Sequence, residues 1–141
     1  MKTLNGCTCP FCGEGSLVRE SRDVEYKYKG HTLLIPQPGT YCDACEESIL
    51  EPEDLKATRV DLQAFRSRVD GLLEPKEIRR IRSKVLGLNQ KDAGELFGGG
   101  HNAFSRYERG ESALPRAMSM LLSLVDNHRD LKDEIIAEKT A

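Results

Sequence analysis

Apolar and polar residues alternate between Val24 and Lys29, where Val24, Tyr26 and Tyr28 are separated by Glu25 and Lys27. A period of two is that of a half-buried strand. Gly30 and His31 offer a turn, and Thr32-Leu33-Leu34-Ile35 reads as a second strand, stopped by Pro36 and Pro38. Two short strands alone are marginal in water, so this part needs something behind it. From Pro52 the period becomes helical. Pro52 suits a first helical position, and Glu53 and Asp54 favour the first turn. Leu55, Leu62, Phe65 and Val69 then recur at helical spacing as far as Gly71. The run Gly71-Leu72-Leu73-Glu74-Pro75 predicts a hinge with some packing, and from Lys76 onward the pattern is helical throughout. These elements predict an α+β chain of two domains. Residues 1–70 form a small β-sheet domain with a helix, and residues 71–141 an all-α domain of five helices. No internal repeat is present, which excludes solenoids.

Composition changes the picture at one point. Hydrophobic residues are 38% and charged residues 31% of the chain, a globular and not a disordered balance. With 141 residues and no Trp, each half has little core and calls for a staple. No stretch approaches the roughly 20 apolar residues of a membrane span. Met1 to Gly6 has no apolar leader core. A cytoplasmic location without membrane attachment is expected. Thiols stay reduced there, so paired cysteines point to metal before disulfide.

The cysteines supply the staple. Cys9-Pro10-Phe11-Cys12-Gly13 and Cys42-Asp43-Ala44-Cys45 are two CxxC pairs with 29 residues between them. Each such turn aims two thiolates at one point, and two turns close a tetrahedral site with Zn–S near 2.3 Å. Gly13 suits the tight turn of a zinc knuckle. One structural Zn2+ per chain on Cys9, Cys12, Cys42 and Cys45 is expected, which makes residues 1–70 the zinc-binding domain. Iron fits the same cage. A thioredoxin-like centre would use one CxxC at a helix start, and a catalytic zinc would keep an open position. Neither matches the pattern. Cys7 reads as a free surface thiol, and His31 as a turn residue.

Net charge is −2, but it is unevenly spread. Lys76 to Arg116 holds nine Lys/Arg against five Asp/Glu, and the rest twelve against eighteen. A basic segment in an acidic chain is the electrostatic footprint of nucleic-acid binding. The rival reading is that Lys76, Arg79, Arg80, Arg82 and Lys84 solvate an exposed helix face. Within the segment, Asn89 is an N-cap with Asp92 three residues on, and Ala93 and Leu96 share a face. Gly98-Gly99-Gly100 permits a sharp bend and lacks the spacing of a phosphate loop. The next helix, about His101 to Arg109, ends at Gly110, a C′ residue. Ala103, Phe104 and Tyr107 point inward; Asn102, Ser105, Arg106 and Arg109 share the outer face. Asn bonds adenine and Arg bonds guanine in bidentate fashion, so this face suits major-groove readout by a helix-turn-helix of the Xre/Cro type. Leu114-Pro115 opens a helix whose Met118, Leu121, Leu122 and Val125 make an apolar stripe, a candidate for core and for a dimer surface. Ile135 and Ile136 in the last helix serve either.

The chain resembles the MqsA family of antitoxins from bacterial type II toxin–antitoxin pairs. The likeness runs from Cys9 to about Leu131 and is most specific in CPFC, in YCDACEESI from Tyr41, in AFRSRV from Ala64 and in LFGGGHNAFSRYERG from Leu96. It implies an elongated homodimer that is not an enzyme. Its N-terminal domain would neutralise a cognate mRNA-interferase toxin, and its C-terminal dimer would bind a palindrome in its own promoter as an autorepressor. The family's zinc ligands fall on Cys9, Cys12, Cys42 and Cys45, its base-reading residues on Asn102 and Arg106, and a phosphate contact on Arg66. Cys7, the longer N-terminus and the tail from Lys132 to Ala141 depart from the pattern. The alternative is a zinc-ribbon helix-turn-helix regulator with no toxin partner. A thiol enzyme using the CxxC pairs is disfavoured, because thiolates in a filled zinc shell are not free nucleophiles.

Overall fold

The computed structural model describes residues 4–139; the outermost parts of the Met1–Gly6 and Lys132–Ala141 stretches lie outside the described residues. Strands β1 (Leu17–Tyr28) and β2 (His31–Cys42) form one long antiparallel hairpin, and β3 (Ser48–Ile49) pairs with β2 at Thr40 and Tyr41. The hairpin turn is Lys29-Gly30, with φ of +48° and +80°. Positive φ at both central residues matches the right-handed twist of the flanking strands. His31 is the first residue of β2, opposite Tyr28.

Pro36 and Pro38 do not stop the second strand as expected. They sit inside β2, opposite Asp23 and Ser21, while β3 reaches only Thr40 and Tyr41. Beside the prolines the second edge of β2 has no strand partner among the described residues, so their missing N–H groups cost no ladder bond. The expected inward alternation in β1 is weak as well. Val24 is exposed, Tyr26 and Tyr28 are half-buried, and Ile35 on β2 carries the burial.

Of the apolar stripe expected on helix α1 (Pro52–Asp70), Phe65 is buried and Leu62 and Val69 are half-buried, but Leu55 is 52% exposed. A polar network holds its start instead. Asp54 accepts from the Glu51 amide at 2.9 Å, the reciprocal half of a capping box. It also accepts two bonds from Arg19, at 2.7 and 2.9 Å. The Gln37 amide donates to the Asp54 carbonyl at 2.8 Å and accepts from the Thr58 hydroxyl at 3.0 Å. The Tyr41 hydroxyl donates to the Gln37 carbonyl at 2.6 Å. The Arg19 guanidinium, with the Glu51 amide behind it, holds the Asp54 carboxyl at about 2. Farther along α1, Phe65 is buried, and the buried Gln63 and Ser67 bond each other at 3.1 Å.

The chain divides into two compact units, one up to Thr58 and the other from Arg59. In the second unit α2 (Pro75–Arg80) runs into a π-helical turn, Ile81–Val85, followed by α3 (Gln90–Phe97), α4 (Ala103–Glu108), α5 (Arg116–Asn127) and α6 (Leu131–Lys139). With the π turn counted in α2, these are the five helices expected after residue 71. Their core centres on Ile78, Ile81, Phe104, Leu114, Leu122 and Val125, with Ile135 and Ile136 packed against it. The Gly71–Pro75 stretch is tied into this unit: the Leu73 amide donates to Ser119 Oγ at 3.0 Å and Arg116 to the Asp70 carbonyl at 2.8 Å. No helix among the described residues is long and apolar enough to cross a membrane.

Candidate metal centre and nucleic-acid face

The two CxxC turns converge as their spacing predicts. The sulfurs of Cys9, Cys12, Cys42 and Cys45 all lie within 4.8 Å of one another. Cys9 and Cys45 are 3.8 Å apart, and Cys12 and Cys42 are 3.7 Å apart. A tetrahedron with metal–sulfur bonds near 2.3 Å has an edge of about 3.8 Å, so the cage fits a cation of zinc's size. Backbone amides face the sulfurs: Gly15 donates to Cys12 Sγ at 3.4 Å, and Ala44 and Cys45 donate to Cys42 Sγ at 3.3 Å. These bonds favour thiolate.

The amides of Gly15 and Glu14 bring the Cys12 thiol down to about 7. Cys45 stands at about 12: the Glu47 amide lowers it, but burial and the sulfurs of Cys42, Cys9 and Cys12 outweigh that. A divalent metal would offset the repulsion between thiolates held this close together. Among the described residues the apolar core around the sulfurs is small: Cys9, Leu17 and Cys42 with Leu4, Cys45 and Ile49 against them.

The knuckle glycine Gly13 has φ +72°, as the motif requires. Sequence reading missed Gly15, where any Cβ would collide with Cys42 Sγ and the Asp43–Ala44 turn. A second glycine just past the first CxxC was the available signal. Cys7 is exposed and stands outside the cluster of four sulfurs, and His31 is exposed on the hairpin.

The helix-turn-helix is built from α3 and α4. Asn89 caps α3 by accepting from the Asp92 amide at 2.7 Å. Gly98, Gly99 and Gly100 then follow with φ of +93°, +90° and +87°. Gly94 makes the bend possible, because a Cβ there would run into the Gly100 carbonyl oxygen. Ala93, expected to permit close approach of the next helix, is fully buried in one cluster with Ala103, Phe104 and Tyr107, while Gly94 faces the turn.

Helix α4 is shorter than the expected His101–Arg109. Its first helical residue is Ala103, because the glycine bend extends the turn through His101 and Asn102. Ala103, Phe104 and Tyr107 are buried, with Phe104 and Tyr107 edge to face at 5.5 Å. Asn102 and Arg106 are exposed, and their side chains make no hydrogen bond or ion pair among the described residues. Ser105 is half-buried, and its carbonyl accepts from Arg109 Nε at 3.3 Å. Arg66 lies on α1, half-buried; it donates to Gln63 at 3.1 Å, and its Nε is buried with no partner.

The basic residues of α2 do not form one solvated face. Arg80 bonds Asp126 on α5 at 2.6 Å and Glu77 at 2.8 Å. Arg82 is buried in the π turn, bonded to Glu108 of α4 and, at 2.7 Å, to the Leu88 carbonyl. Lys76, Arg79 and Lys84 are exposed.

The sequence matches one family of known proteins. Residues 7–136 match the family model described as the antitoxin component of bacterial toxin–antitoxin system, MqsA. Antitoxin MqsA of Escherichia coli (strain K12) is 41% identical over 129 residues, covering 90% of this chain and 98% of that relative. The solved N-terminal domain of the E. coli protein MqsA is 34% identical, covers 45% of this chain and 97% of that one, and superposes with a TM-score of 0.41. With a four-cysteine cage on a three-stranded sheet, a helical unit following in the chain and a family match over nearly its whole length, this chain belongs to the MqsA family of bacterial antitoxins.

Proposed function

We propose that this antitoxin works from both ends: the sheet half neutralises a cognate mRNA-interferase toxin, and the helical half, as a homodimer, binds a promoter palindrome and represses its own transcription. The observation that carries the DNA reading is α4 with its N-cap, which buries Ala103, Phe104 and Tyr107 and leaves the N-cap Asn102 and the helical Arg106 exposed and uncommitted. Asn102 would read adenine and Arg106 guanine in the major groove. Ser105 and Arg66 would add backbone contacts that set register, with Arg109 on the same outer face but paired to Glu111. Two such helices would sit about one DNA turn apart, on the order of 34 Å. Met120, Leu121 and Leu124 are exposed along α5 and offer an apolar surface to a second copy.

One structural Zn2+ on Cys9, Cys12, Cys42 and Cys45 holds the sheet half together in this reading. The cation would supply charge neutralisation and folding free energy, with no reaction routed through it. The compartment would be the cytoplasm, where the thiols stay reduced. Family membership supports a toxin partner over a zinc-ribbon regulator that works alone.

The test is co-expression with the product of the adjacent gene, with binding to the upstream DNA measured in parallel. Rescue from toxicity, a co-purifying complex and a footprint over a palindrome are expected. A chain that rescues nothing and binds no upstream DNA contradicts the reading.

A further inference from the structure

The outer face of α4 ends in an ion-pair cluster. Glu111 lies just past Gly110, and its carboxylate accepts from Arg59 Nη1 at 3.1 Å and from Arg109 Nη2 at 3.2 Å. The backbone fixes that position: the Glu111 amide donates to the Arg106 carbonyl at 2.9 Å. Gly110 has φ +75°, and a Cβ on it would stand only 3.0 Å from the Arg59 carbonyl oxygen and from Val60 Cα. The end of α4 is therefore pressed against α1. Arg109 also turns back along its own helix, with Nε on the Ser105 carbonyl at 3.3 Å. One carboxylate thus holds two guanidinium groups beside the residues that would read bases, cancelling one of their two charges.

We propose that Glu111 is a specificity-determining positioning residue that withholds Arg59 and Arg109 from DNA phosphates. The inference rests on the DNA-binding reading above. Arginine–phosphate contacts carry no sequence information and strengthen binding to any duplex through counterion release. Glu111 is 31% exposed and its partners 37% and 59%, so these pairs are weak enough to be exchanged. A phosphate that takes either arginine must displace the carboxylate from it and then lie near that negative charge, and one that takes both leaves the carboxylate unpaired. That repulsion acts against every duplex, and only a site that also engages Asn102 and Arg106 overcomes it.

The experiment is a salt series of equilibrium binding by full-length protein to its promoter fragment and to a scrambled duplex of equal length. Glu111→Gln is expected to bind the scrambled duplex about three- to tenfold tighter and to steepen the log K against log salt slope by about 1–2. Promoter affinity should rise less, so the ratio between the two duplexes falls. Adding Arg59→Ala and Arg109→Ala to Glu111→Gln should abolish the gain. Glu134→Gln, which removes the same charge from α6, should leave the slope unchanged. A Glu111→Gln protein with the parent's slope, or an equal shift in Glu134→Gln, overturns the inference. If the parent binds neither duplex, the DNA reading itself falls, and this inference with it.

Discussion

Arg82 and Glu108 form a bidentate ion pair, Nε to Oε2 at 2.7 Å and Nη2 to Oε1 at 2.9 Å, with side chains only 10% and 5% exposed. The pair joins the π turn after α2 to the last turn of α4. Arg82 also donates to the Leu88 carbonyl and Gln90 to Glu108, so the loop before α3 is held in the same cluster. Removing one partner leaves a buried charge uncompensated, which costs about 3–5 kcal/mol. Glu108→Ala and Arg82→Ala should each lower urea stability of the helical half by that order. The double variant should lose much less than the sum of the two. Additive losses in the double-mutant cycle would show that the pair is not coupled.

Gly94 gives a prediction in which the sign decides. In an ordinary helix interior, Gly→Ala stabilises by about 1 kcal/mol. Here the added Cβ would meet the Gly100 carbonyl oxygen, a backbone atom in a turn whose three glycines have positive φ. Gly94→Ala should therefore melt lower than the parent, as followed by circular dichroism. A higher melting temperature would mean that the bend relaxes freely.

Metal removal should act on one half of the chain. The sheet unit has a core of only a few residues around its sulfurs, whereas the helical unit has its own apolar core. Chelator treatment of the full-length protein, followed by amide hydrogen exchange, should strip protection from β1 to β3 and leave α2 to α5 protected. Equal loss across both would contradict a metal-dependent sheet and a self-sufficient helical part.

Much of this was legible in the sequence, for identifiable reasons. The cysteine spacing, the triple glycine and the Ala103-Phe104-Tyr107 face are local patterns with one cheap structural solution each, and the chain adopts them. What could not be read is non-local. Nothing near Asp54 in the chain announces Arg19 or Gln37, which reach it from the hairpin. The apolar periodicity of α1 misled only at its start for that reason: Leu55 is exposed because Asp54 and Thr58 face the sheet. Arg82 looked like one of several surface cations until its distant partner, Glu108, was known. Pro36 and Pro38 read as stops only if β2 is paired on both edges.

Asp54 links pH to the stability of the sheet half. Its folded carboxyl is held at about 2, below the ordinary 3.8, by Arg19 and then by the Glu51 amide. A depressed carboxyl contributes stability that is fully present above 3.8 and is lost as pH falls toward 2. Asp54→Asn should cost about 1.5–3 kcal/mol at neutral pH. The gap to the parent should close as acid protonates Asp54. A gap that stays constant down to strong acid would mean that the Arg19 pair is not the source.

Base readout by α4 is tested most directly by binding of Asn102→Ala and Arg106→Ala to the promoter palindrome and to a scrambled duplex. Each variant should lose about 1–3 kcal/mol on the palindrome, with tolerance of any base at one position per half-site, and little on the scrambled duplex. Variants that bind both duplexes as the parent does would contradict readout by these two side chains.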